Sequence, residues 1–298
     1  MVNAMGVPKL VYVDIGELGW SLNLSAHLNW MKKNTNSRLI VITFPDRKCL
    51  YKKTANLILN VPSDFYEQFK GKQSCLGLFP PAKEELREYF KKMIPFNCVL
   101  SKDFSFDCRS QFFISKKLIY KPYEYSKKLN GRKKILIFPR HRNYPPFNKR
   151  DLSRVFYIEL IEALCYRFSD YEIKTIGLNS GSYNINKIKK SNYTNGVKNE
   201  SDIQAVIDEC QLTIAAIGSQ SALPKITLLQ RVPTFMIGHD KERHTERENW
   251  MKTRVGFHAI HHNTYAKTKQ VDCINEIINF IGDGQKRISK DNLGPIGL

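Results

Sequence analysis

The sequence predicts an α/β protein with two doubly wound domains in tandem, and three observations lead to that prediction. First, apolar runs of strand length recur along the chain, and several are apolar at almost every position, as buried parallel strands are. Second, helix-length amphipathic segments separate these runs. Third, glycine-containing turns follow several of them. The predicted strands lie at residues 9–16, 38–44, 57–62, 135–139, 171–178, 212–218 and 232–238.

Length and composition place the boundary between the two domains. A chain of 298 residues with 42% hydrophobic content is long enough for two ordinary cores. Residues 121–134 are polar and contain a proline and a glycine, a composition typical of an interdomain connection. We therefore expect an N-terminal domain at residues 1–128, a C-terminal domain at 129–270, and a closing amphipathic helix with a tail at 271–298.

The net charge of +19 predicts attraction to anions. The basic residues are spread along the chain, so three explanations stay open: a nucleic acid, an anionic membrane surface, and a solvated lysine-rich exterior. Charge alone therefore indicates a class of partner and not its identity.

The lack of a recognisable targeting signal and the pattern of the cysteines favour a cytoplasmic protein. Residues 1–9 lack the apolar core of a signal peptide, and no uninterrupted apolar run is long enough to cross a bilayer as a helix. The seven cysteines are scattered and odd in number and include no CxxC pair, which argues against a disulfide scaffold or a zinc ribbon. We expect reduced thiols and a cytoplasmic location, with peripheral attachment to the inner face of a membrane as the alternative.

The first predicted strand ends in a glycine-flanked turn that carries a carboxylate. The strand covers residues 9–16, and the turn at 16–19 leads into a helix whose apolar residues recur every three or four positions. Open α/β sheets place their functional groups at the carboxyl ends of the strands, so Asp14 and Glu17 are candidates for a polar role. The turn does not match a GxGxxG fingerprint, and no dinucleotide site is predicted there.

Arginines follow the first strand of the second domain. The strand at 135–139 leads into Arg140, His141 and Arg142, two prolines follow, and a helix is expected from about Asp151. Guanidinium groups at the end of a central strand are well placed to hold a diphosphate in their planar donor forks. The alternative is that these arginines lie on the surface or pair with local carboxylates.

The middle of the second domain reads as strand, loop and helix. After the strand at 171–178, a loop rich in glycine, serine and asparagine is expected to run through Asn199. A capping box at residues 201–204 then begins a helix, in which Ser201 caps and Gln204 reaches back.

A tight turn joins the last two predicted strands and can form an anion site. Gly218, Ser219, Gln220 and Ser221 bring hydroxyls and unpaired backbone N–H groups together at the positive end of the following helix. Pro224 fits only in the first turn of that helix, so the helix begins near Ser221. The pattern favours a phosphate site, and the alternative is a turn that only caps the helix.

This arrangement resembles the GT-B glycosyltransferases, whose two Rossmann-like domains face a central cleft, and the layout is most similar to the heptosyltransferase-like family. The resemblance covers most of the chain and rests on Gly16-Glu17, on the strand-Pro-basic sequence Phe138–Arg140, and on the segment 201–238. In that segment the family usually has an Asp-Ser/Thr-Gly turn followed by a His. This chain has other residues at 219–221 and 224–225, so its donor contacts are expected to differ and a heptose donor is not implied.

The resemblance implies a transfer reaction with few protein groups. The N-terminal domain would bind a glycan or glycolipid acceptor, and the C-terminal domain would bind a nucleotide sugar as co-substrate. Glu17 matches the position of the family's general base in an inverting transfer, with Asp14 and His27 as reserve candidates. Arginines and helix dipoles would neutralise the departing diphosphate, so neither a metal nor another cofactor is expected.

Five of the seven histidines lie between residues 239 and 262. His239, Glu242 and Arg243 follow the carboxyl end of a central strand, and we expect them to contact the donor or to close the cleft. A zinc site is the alternative, although the segment contains no HExxH motif.

Two other functions share this predicted fold. A DNA-modifying glycosyltransferase of the phage type would use the basic surface to follow nucleic acid. A non-catalytic protein that binds nucleotides or glycans would keep the phosphate-binding arginines and tolerate the loss of Glu17.

Overall fold

The structure, a computed structural model, divides into two compact units, Met1–Lys121 and Pro122–Leu298. The predicted boundary between residues 128 and 129 lies outside the described residues and stays a prediction. In the described ranges, no helix combines the length and apolar character needed to cross a membrane. The described residues are 9–15, 18–62, 64–65, 73–74, 77–78, 80–94, 97–100, 132–142, 151–199, 202–219, 221–230, 232–238, 257–261 and 267–290.

The N-terminal unit is built on a four-stranded parallel sheet. Its elements are β1 (Lys9–Asp14), α1 (Leu18–Asn34), β2 (Arg38–Thr43), a 3₁₀ helix (Pro45–Leu50), β3 (Leu57–Asn60), β4 (Gln73–Ser74), β5 (Gly77–Leu78), α2 (Pro80–Met93) and β6 (Cys98–Leu100). The strand order is β3-β2-β1-β6, and β4 and β5 form a separate antiparallel pair. Apolar side chains of β1 and β2 pack with Phe65 and Phe90 to form the core of this unit.

The C-terminal unit is built on a six-stranded parallel sheet. Its elements are β7 (Lys134–Phe138), α3 (Arg154–Arg167), β8 (Glu172–Leu178), β9 (Tyr193–Lys198), α4 (Ile203–Glu209), a 3₁₀ helix (Cys210–Leu212), β10 (Thr213–Ser219), α5 (Ala222–Leu229), β11 (Thr234–Gly238), β12 (Phe257–His261) and α6 (Lys267–Lys290). The strand order is β12-β11-β10-β7-β8-β9. The closing helix α6 buries Cys273, Ile277 and Ile281 in the core of this same unit, beside residues of α3 and β10.

The predicted fold class is confirmed, because each unit has a parallel sheet whose strands alternate with helices. Two strands of the second sheet were not predicted. β9 lies in the segment expected to be a loop through Asn199, and it pairs with β8 as an edge strand. Asparagine and glycine disfavour strands in general, but an edge strand needs only one partner. β12 is the opposite edge and pairs with β11.

The predicted capping box before α4 is wrong in its residues. Asp202 is the N-cap, and its carboxylate accepts a hydrogen bond from the backbone N–H of Ala205 at 2.8 Å. The amide of Gln204 donates to Asp208, one turn further along the helix, at 2.8 Å. A carboxylate is favoured at a helix N-terminus because it also complements the dipole. Similarly, α3 begins at Arg154, three residues after the expected start, because Ser153 caps it.

The order of strands in the second sheet creates a switch point between β7 and β10. From β7 the chain moves to β8 and β9 on one side, and then it returns to place β10 on the other side of β7. At such a point the loops after the two strands leave in opposite directions, which opens a crevice at their carboxyl ends. Gly218 is in register with Phe138, so the Arg140 loop and the Ser219 turn begin next to each other at the same edge of the sheet.

Candidate functional site

The turn after β10 approaches the neighbouring strand so closely that it requires a glycine. A Cβ atom on Gly218 would lie 2.6 Å from Cγ of Pro224 and 3.0 Å from Cβ of Phe138. Pro224 is the third residue of α5, within the first turn as predicted, and Ser221 directly precedes the helix. The positive end of α5 therefore lies close to the carboxyl ends of β7 and β10.

One carboxylate organises the loop of arginines after β7. Oδ1 of Asp151 accepts a hydrogen bond from the guanidinium of Arg140, and Oδ2 accepts one from the backbone N–H of Arg142 at 2.7 Å. The side chains of this ion pair are only 5% (Arg140) and 7% (Asp151) exposed. The expectation that a local carboxylate pairs with these arginines therefore holds for Arg140. The side chain of Arg142 is half-buried.

A second loop, at residues 181–183, forms hydrogen bonds with the segment after β7. The backbone N–H of His141 donates to the carbonyl of Gly181 at 2.9 Å, and that of Tyr183 donates to the carbonyl of Pro139 at 2.7 Å. The rings of His141 and Tyr183 stack with their centroids 4.3 Å apart and their planes at 14°. Burial, followed by the charge of Asp151, raises the pKa of the Tyr183 phenol. These contacts keep the arginine loop in one conformation against the end of β8.

A buried tyrosine of α3, Tyr157, contacts the end of β7. The hydroxyl of Tyr157 donates to the carbonyl of Phe138 at 3.4 Å. Burial, together with the nearby charge of Asp151, raises the pKa of Tyr157 far above its ordinary value. The phenol is therefore neutral at physiological pH, and its hydrogen bond joins α3 to the end of β7.

Asparagine amides form a hydrogen-bonded chain beside this loop. The amide of Asn195 donates to Asn184 at 2.6 Å, and that of Asn184 donates to Asn179 at 3.3 Å. Asn195 in turn accepts a hydrogen bond from the hydroxyl of Thr175 at 2.9 Å. This chain runs toward the carboxyl ends of β8 and β9, where its exposed members present both donors and acceptors.

Asp14, a reserve candidate for catalysis, lies inside the N-terminal unit with 0% exposure. Its carboxylate accepts hydrogen bonds from Ser21 at 2.8 Å, Thr43 at 3.0 Å and Tyr51 at 2.6 Å. The guanidinium of Arg47 lies 3.5 Å from the same carboxylate. This network joins β1, α1, β2 and the turn after the 3₁₀ helix, so its evident role is to hold these elements together.

His27, the second reserve candidate, lies in the middle of α1 between two aromatic rings. Its centroid is 5.8 Å from that of Tyr12 and 6.2 Å from that of Trp30. The ring is half-buried in this aromatic packing.

The structure brings some of the predicted site residues together, and the roles predicted for all of them stay predictions. Arg140, Arg142, Gly218, Ser219 and Ser221 lie at the adjacent carboxyl ends of β7 and β10. The other predicted donor-binding and catalytic residues lie outside the described residues: Glu17, Gln220, His239, Glu242 and Arg243.

Sequence reasoning missed two side chains that organise the site, Asp151 and Tyr157. The signal for Asp151 is an acidic residue soon after a pair of arginines, a pattern that also fits the start of a helix. Tyr157 gave no signal, because it looked like any aromatic residue on an apolar helix stripe. Among the residues that the structure covers, no group of three or more His, Cys, Asp or Glu could hold a metal ion.

Comparison with known proteins gives matches at the level of structure. No family model matches the chain, and no curated protein sequence matches it. The ADP-heptose lipopolysaccharide heptosyltransferase II of E. coli matches with a TM-score of 0.58 and 12% identity, over 93% of this chain and 99% of that one. A glycosyl transferase family 9 protein of Veillonella parvula matches with a TM-score of 0.55 and 10% identity, over 93% and 97% of the two chains.

The same fold occurs in proteins with a different activity. A putative UDP-N-acetylglucosamine 2-epimerase from Listeria monocytogenes matches with a TM-score of 0.50 and 7% identity, over 93% of this chain and 88% of that one. At these identities the matches establish the fold and leave the reaction open. The chain therefore has a two-unit α/β fold of the GT-B type, which these solved structures share.

Proposed function

We propose that the protein is a glycosyltransferase that moves a sugar from a nucleotide-sugar donor to a hydroxyl acceptor. The observation that carries this proposal is the pairing of two loops at the switch point of the C-terminal sheet. The Arg140 loop and the Ser219 turn leave adjacent strands in register, beside the positive end of α5. Cations, hydroxyls and backbone N–H groups in this arrangement suit the diphosphate of a nucleotide sugar.

The residues of the two loops have different roles in this proposal. Arg142 and Ser221 are half-buried and contact the diphosphate directly, together with the first backbone N–H groups of α5. Arg140 is buried against Asp151, so it acts on the donor mainly by holding the loop and by its positive charge. Gly218 lets α5 pack closely against the end of β7, because a Cβ atom there would overlap Pro224 and Phe138. The exposed amides of Asn179 and Asn184 offer hydrogen bonds to the nucleoside.

For the chemical step, we propose Glu17 as the general base. The strand before it ends at Asp14 and the helix after it begins at Leu18, so this residue belongs to the connection at the carboxyl edge of the first sheet. Asp14 is the weaker candidate, because its carboxylate is buried and already accepts three hydrogen bonds. Glu17 would take the proton from the acceptor hydroxyl as that oxygen attacks the anomeric carbon, which inverts the configuration.

A nucleotide-sugar 2-epimerase is the second candidate. The fold match to the putative epimerase from Listeria monocytogenes supports it, since such an enzyme binds a donor of the same class. The two functions differ in their products. A transferase consumes an acceptor and releases a nucleoside diphosphate while forming a new glycoside, whereas an epimerase returns an isomer of the nucleotide sugar.

The experiment is to incubate the protein with a panel of nucleotide sugars and hydroxyl acceptors and to analyse the products by NMR. We expect release of a nucleoside diphosphate and a glycoside with inverted configuration. Glu17→Gln should lower turnover by roughly 10²- to 10⁴-fold at unchanged donor affinity. Glu85→Gln, a substitution of an exposed glutamate in α2, is the matched control and should leave turnover unchanged.

Three results would contradict this account. An isomerised nucleotide sugar would identify the epimerase instead. A retained anomeric configuration would reject the inverting step. Turnover of Glu17→Gln near the wild-type value would reject Glu17 as the base.

A further inference from the structure

An aromatic pair, His141 and Tyr183, lies beside the loop proposed to bind the diphosphate. The two rings are nearly parallel, with centroids 4.3 Å apart and planes at 14°. Tyr183 also contacts the fully buried Tyr157, whose ring centroid is 6.1 Å away. Both rings of the aromatic pair are half-buried, so the pair connects the core to the surface. An anchored ring that stays partly exposed can stack against another planar group.

Backbone contacts already join the two loops that carry the aromatic pair. The loop after β8 folds back so closely that a Cβ atom on Gly177 would overlap the side chain of Ser182. Ser182 forms an antiparallel bridge with Arg140. Two backbone hydrogen bonds, at 2.9 and 2.7 Å, join residues 181 and 183 to the segment 139–141. Because these contacts do not involve the rings, holding the loop does not by itself explain why an aromatic side chain stands at position 141.

His141 is close to the proposed diphosphate ligands. It stands between Arg140 and Arg142, and the carboxylate of Asp151 accepts from the guanidinium of the first and from the backbone N–H of the second. In a nucleotide sugar a single ribose separates the base from the diphosphate, so the base must lie a short distance from the phosphates. A planar ring at this place suits a base, because base–aromatic stacking is available to every base.

A ladder of asparagine amides begins at the same loop, and Asn195 is its centre. The carbonyl of Asn195 accepts hydrogen bonds from the hydroxyl of Thr175 at 2.9 Å and from the backbone N–H of Val197 at 3.3 Å. Its amide donates to both Asn184 and Asn186. A carboxamide has two N–H donors and two acceptor lone pairs, so Asn195 is saturated and serves to hold the ladder together.

The outer amides of the asparagine ladder keep part of their hydrogen-bonding capacity. Asn184 donates to Asn179 at 3.3 Å, and Asn179 donates to Asn199. Within the described ranges, Asn179 and Asn184 each use one N–H and one lone pair, which leaves one donor and one acceptor on each. Both side chains are exposed. A donor beside an acceptor matches the hydrogen-bonding edge of a nucleobase, which an asparagine amide can bind at two points.

From these two features we propose that His141 is the stacking surface for the nucleobase of the donor, and that the amides of Asn179 and Asn184 bind the edge of that base. The base meets the face of the imidazole opposite Tyr183. This inference rests on the proposed function, because it requires the arginine loop to bind a diphosphate. It separates three contributions: the arginine loop binds the phosphates, His141 adds affinity for a base, and the amides distinguish one base from another.

The test compares nucleoside diphosphates with inorganic pyrophosphate in calorimetric titrations of the full chain. We expect at least one of ADP, GDP, UDP and CDP to bind the wild type more tightly than pyrophosphate does. His141→Leu replaces the planar ring with an apolar side chain of similar size. It should weaken binding of that nucleoside diphosphate about tenfold and leave pyrophosphate binding unchanged. His141→Phe restores a planar ring and should retain the wild-type affinity.

Control variants separate stacking from general effects. Tyr166→Leu removes an 88% exposed aromatic ring from α3 in the same unit, and it should change neither affinity. Asn179→Ala should weaken binding of the nucleoside diphosphate about fivefold without affecting pyrophosphate. Asn186→Ala is its matched control, because it removes an exposed amide from the other branch of the asparagine ladder, and it should leave both affinities unchanged.

A fluorescent variant tests the proposal even if His141→Leu disturbs the loop. His141→Trp places an indole ring at the same position, and a stacked base should quench its emission. Relative to the wild type with the same ligand, we expect a loss of emission with the nucleoside diphosphate and no loss with pyrophosphate.

The outcomes separate this inference from the proposed function. If neither pyrophosphate nor any nucleoside diphosphate binds the wild type, the diphosphate site is rejected, and the inference with it. If pyrophosphate binds and His141→Leu binds every nucleoside diphosphate like the wild type, only the stacking role is rejected. Equal losses of both ligands in His141→Leu, without quenching in His141→Trp, would show that the ring only holds the loop. A loss confined to nucleotide sugars would place the ring against the sugar and overturn its assignment to the base.

Discussion

Each unit of the molecule places an aspartate next to an arginine near the end of its first strand, and the two aspartates are used differently. Asp14 is in β1 itself, and its carboxylate accepts hydrogen bonds from three neutral hydroxyls, with Arg47 at 3.5 Å. Asp151 lies in the connection before α3 and contacts the guanidinium of Arg140 and the backbone of Arg142 directly.

The difference separates a packing role from a positioning role. Around Asp14 the donors come from four different elements, so the carboxylate fixes the fold of the N-terminal unit. Around Asp151 both donors come from one loop, so the carboxylate fixes the conformation of that loop. Loss of either aspartate should destabilise its unit, but only loss of Asp151 should change the binding of a nucleotide.

The largest expected effect is that of Asp14→Ala. The substitution leaves the hydroxyls of Ser21 and Tyr51 and the guanidinium of Arg47 without this acceptor in a buried site. We expect the free energy of unfolding to fall by about 4 kcal/mol, as measured by urea denaturation. Asp46→Ala is the matched control, because Asp46 also neighbours Arg47 but is 29% exposed, and its loss should cost less than about 1 kcal/mol. Equal losses would contradict the packing role of Asp14.

The next effect is that of Asp151→Asn, which leaves the buried Arg140 without its counter-ion. We expect a loss of about 3 kcal/mol in unfolding free energy. We also expect at least a tenfold weaker affinity for a nucleoside diphosphate, measured by calorimetry, because the arginine loop is no longer held. Unchanged nucleotide affinity in a folded Asp151→Asn protein would show that Asp151, like Asp14, only stabilises the fold.

A smaller effect is expected from Gly218→Ala. The new methyl group would overlap Pro224 and push α5 away from β7, so we expect a loss of about 2 kcal/mol in unfolding free energy. Gly282→Ala is the control, because no atom lies within 4 Å of a Cβ there and alanine is the better helix former. That control should therefore be neutral or slightly more stable than the wild type. Thermal denaturation of both variants tests whether the close packing of Pro224 and Phe138 against residue 218 requires a glycine there.

The smallest effect concerns Glu209, a paired carboxylate that is partly exposed. Burial raises its pKa, but hydrogen bonds from Lys134 and Lys174 outweigh burial, so the net pKa is lowered. A carboxylate with a lowered pKa in the folded state stabilises the protein above its ordinary pKa and loses that contribution as the pH falls through the lowered value.

The wild type should therefore exceed Glu209→Gln by less than about 1 kcal/mol near neutral pH, because solvent screens the pair. The difference should disappear in acid, at pH values below the ordinary pKa of 4.5. Urea denaturation across this pH range measures it. A difference that persists at low pH would show that packing and not charge is responsible.

Much of the fold could be predicted from the sequence, because strongly periodic segments indicate whether they form a helix or a strand. The runs that became β1, β2, β7, β8, β10 and β11 are apolar and β-branched, and Pro224 located the start of α5. β9 and β12 were missed for a physical reason. As edge strands each pairs on one side only, so their sequences carry polar residues, such as Asn195 and His258, that central strands exclude.

The candidate site could be predicted only in part. The meeting of the Arg140 loop with Ser219 followed from the rule that the carboxyl ends of parallel strands share one edge of a sheet. The pairing of Arg140 with Asp151 did not follow, because it depends on how the chain returns after two prolines. Burial of Asp14 was equally invisible, since its donors come from segments far apart in sequence.

The most direct test of the central claim is the thermal stability of the protein with a panel of nucleoside diphosphates. For the correct nucleotide at about 100 times its dissociation constant, we expect the wild type to gain about 2.7 kcal/mol of stability and to melt at a higher temperature. Arg142→Ala should lose most of this gain, whereas Arg167→Ala, which removes an exposed arginine from α3, should keep it. A wild-type melting temperature that no nucleoside diphosphate raises, or a full gain in Arg142→Ala, would contradict the claim that these loops bind a nucleotide sugar.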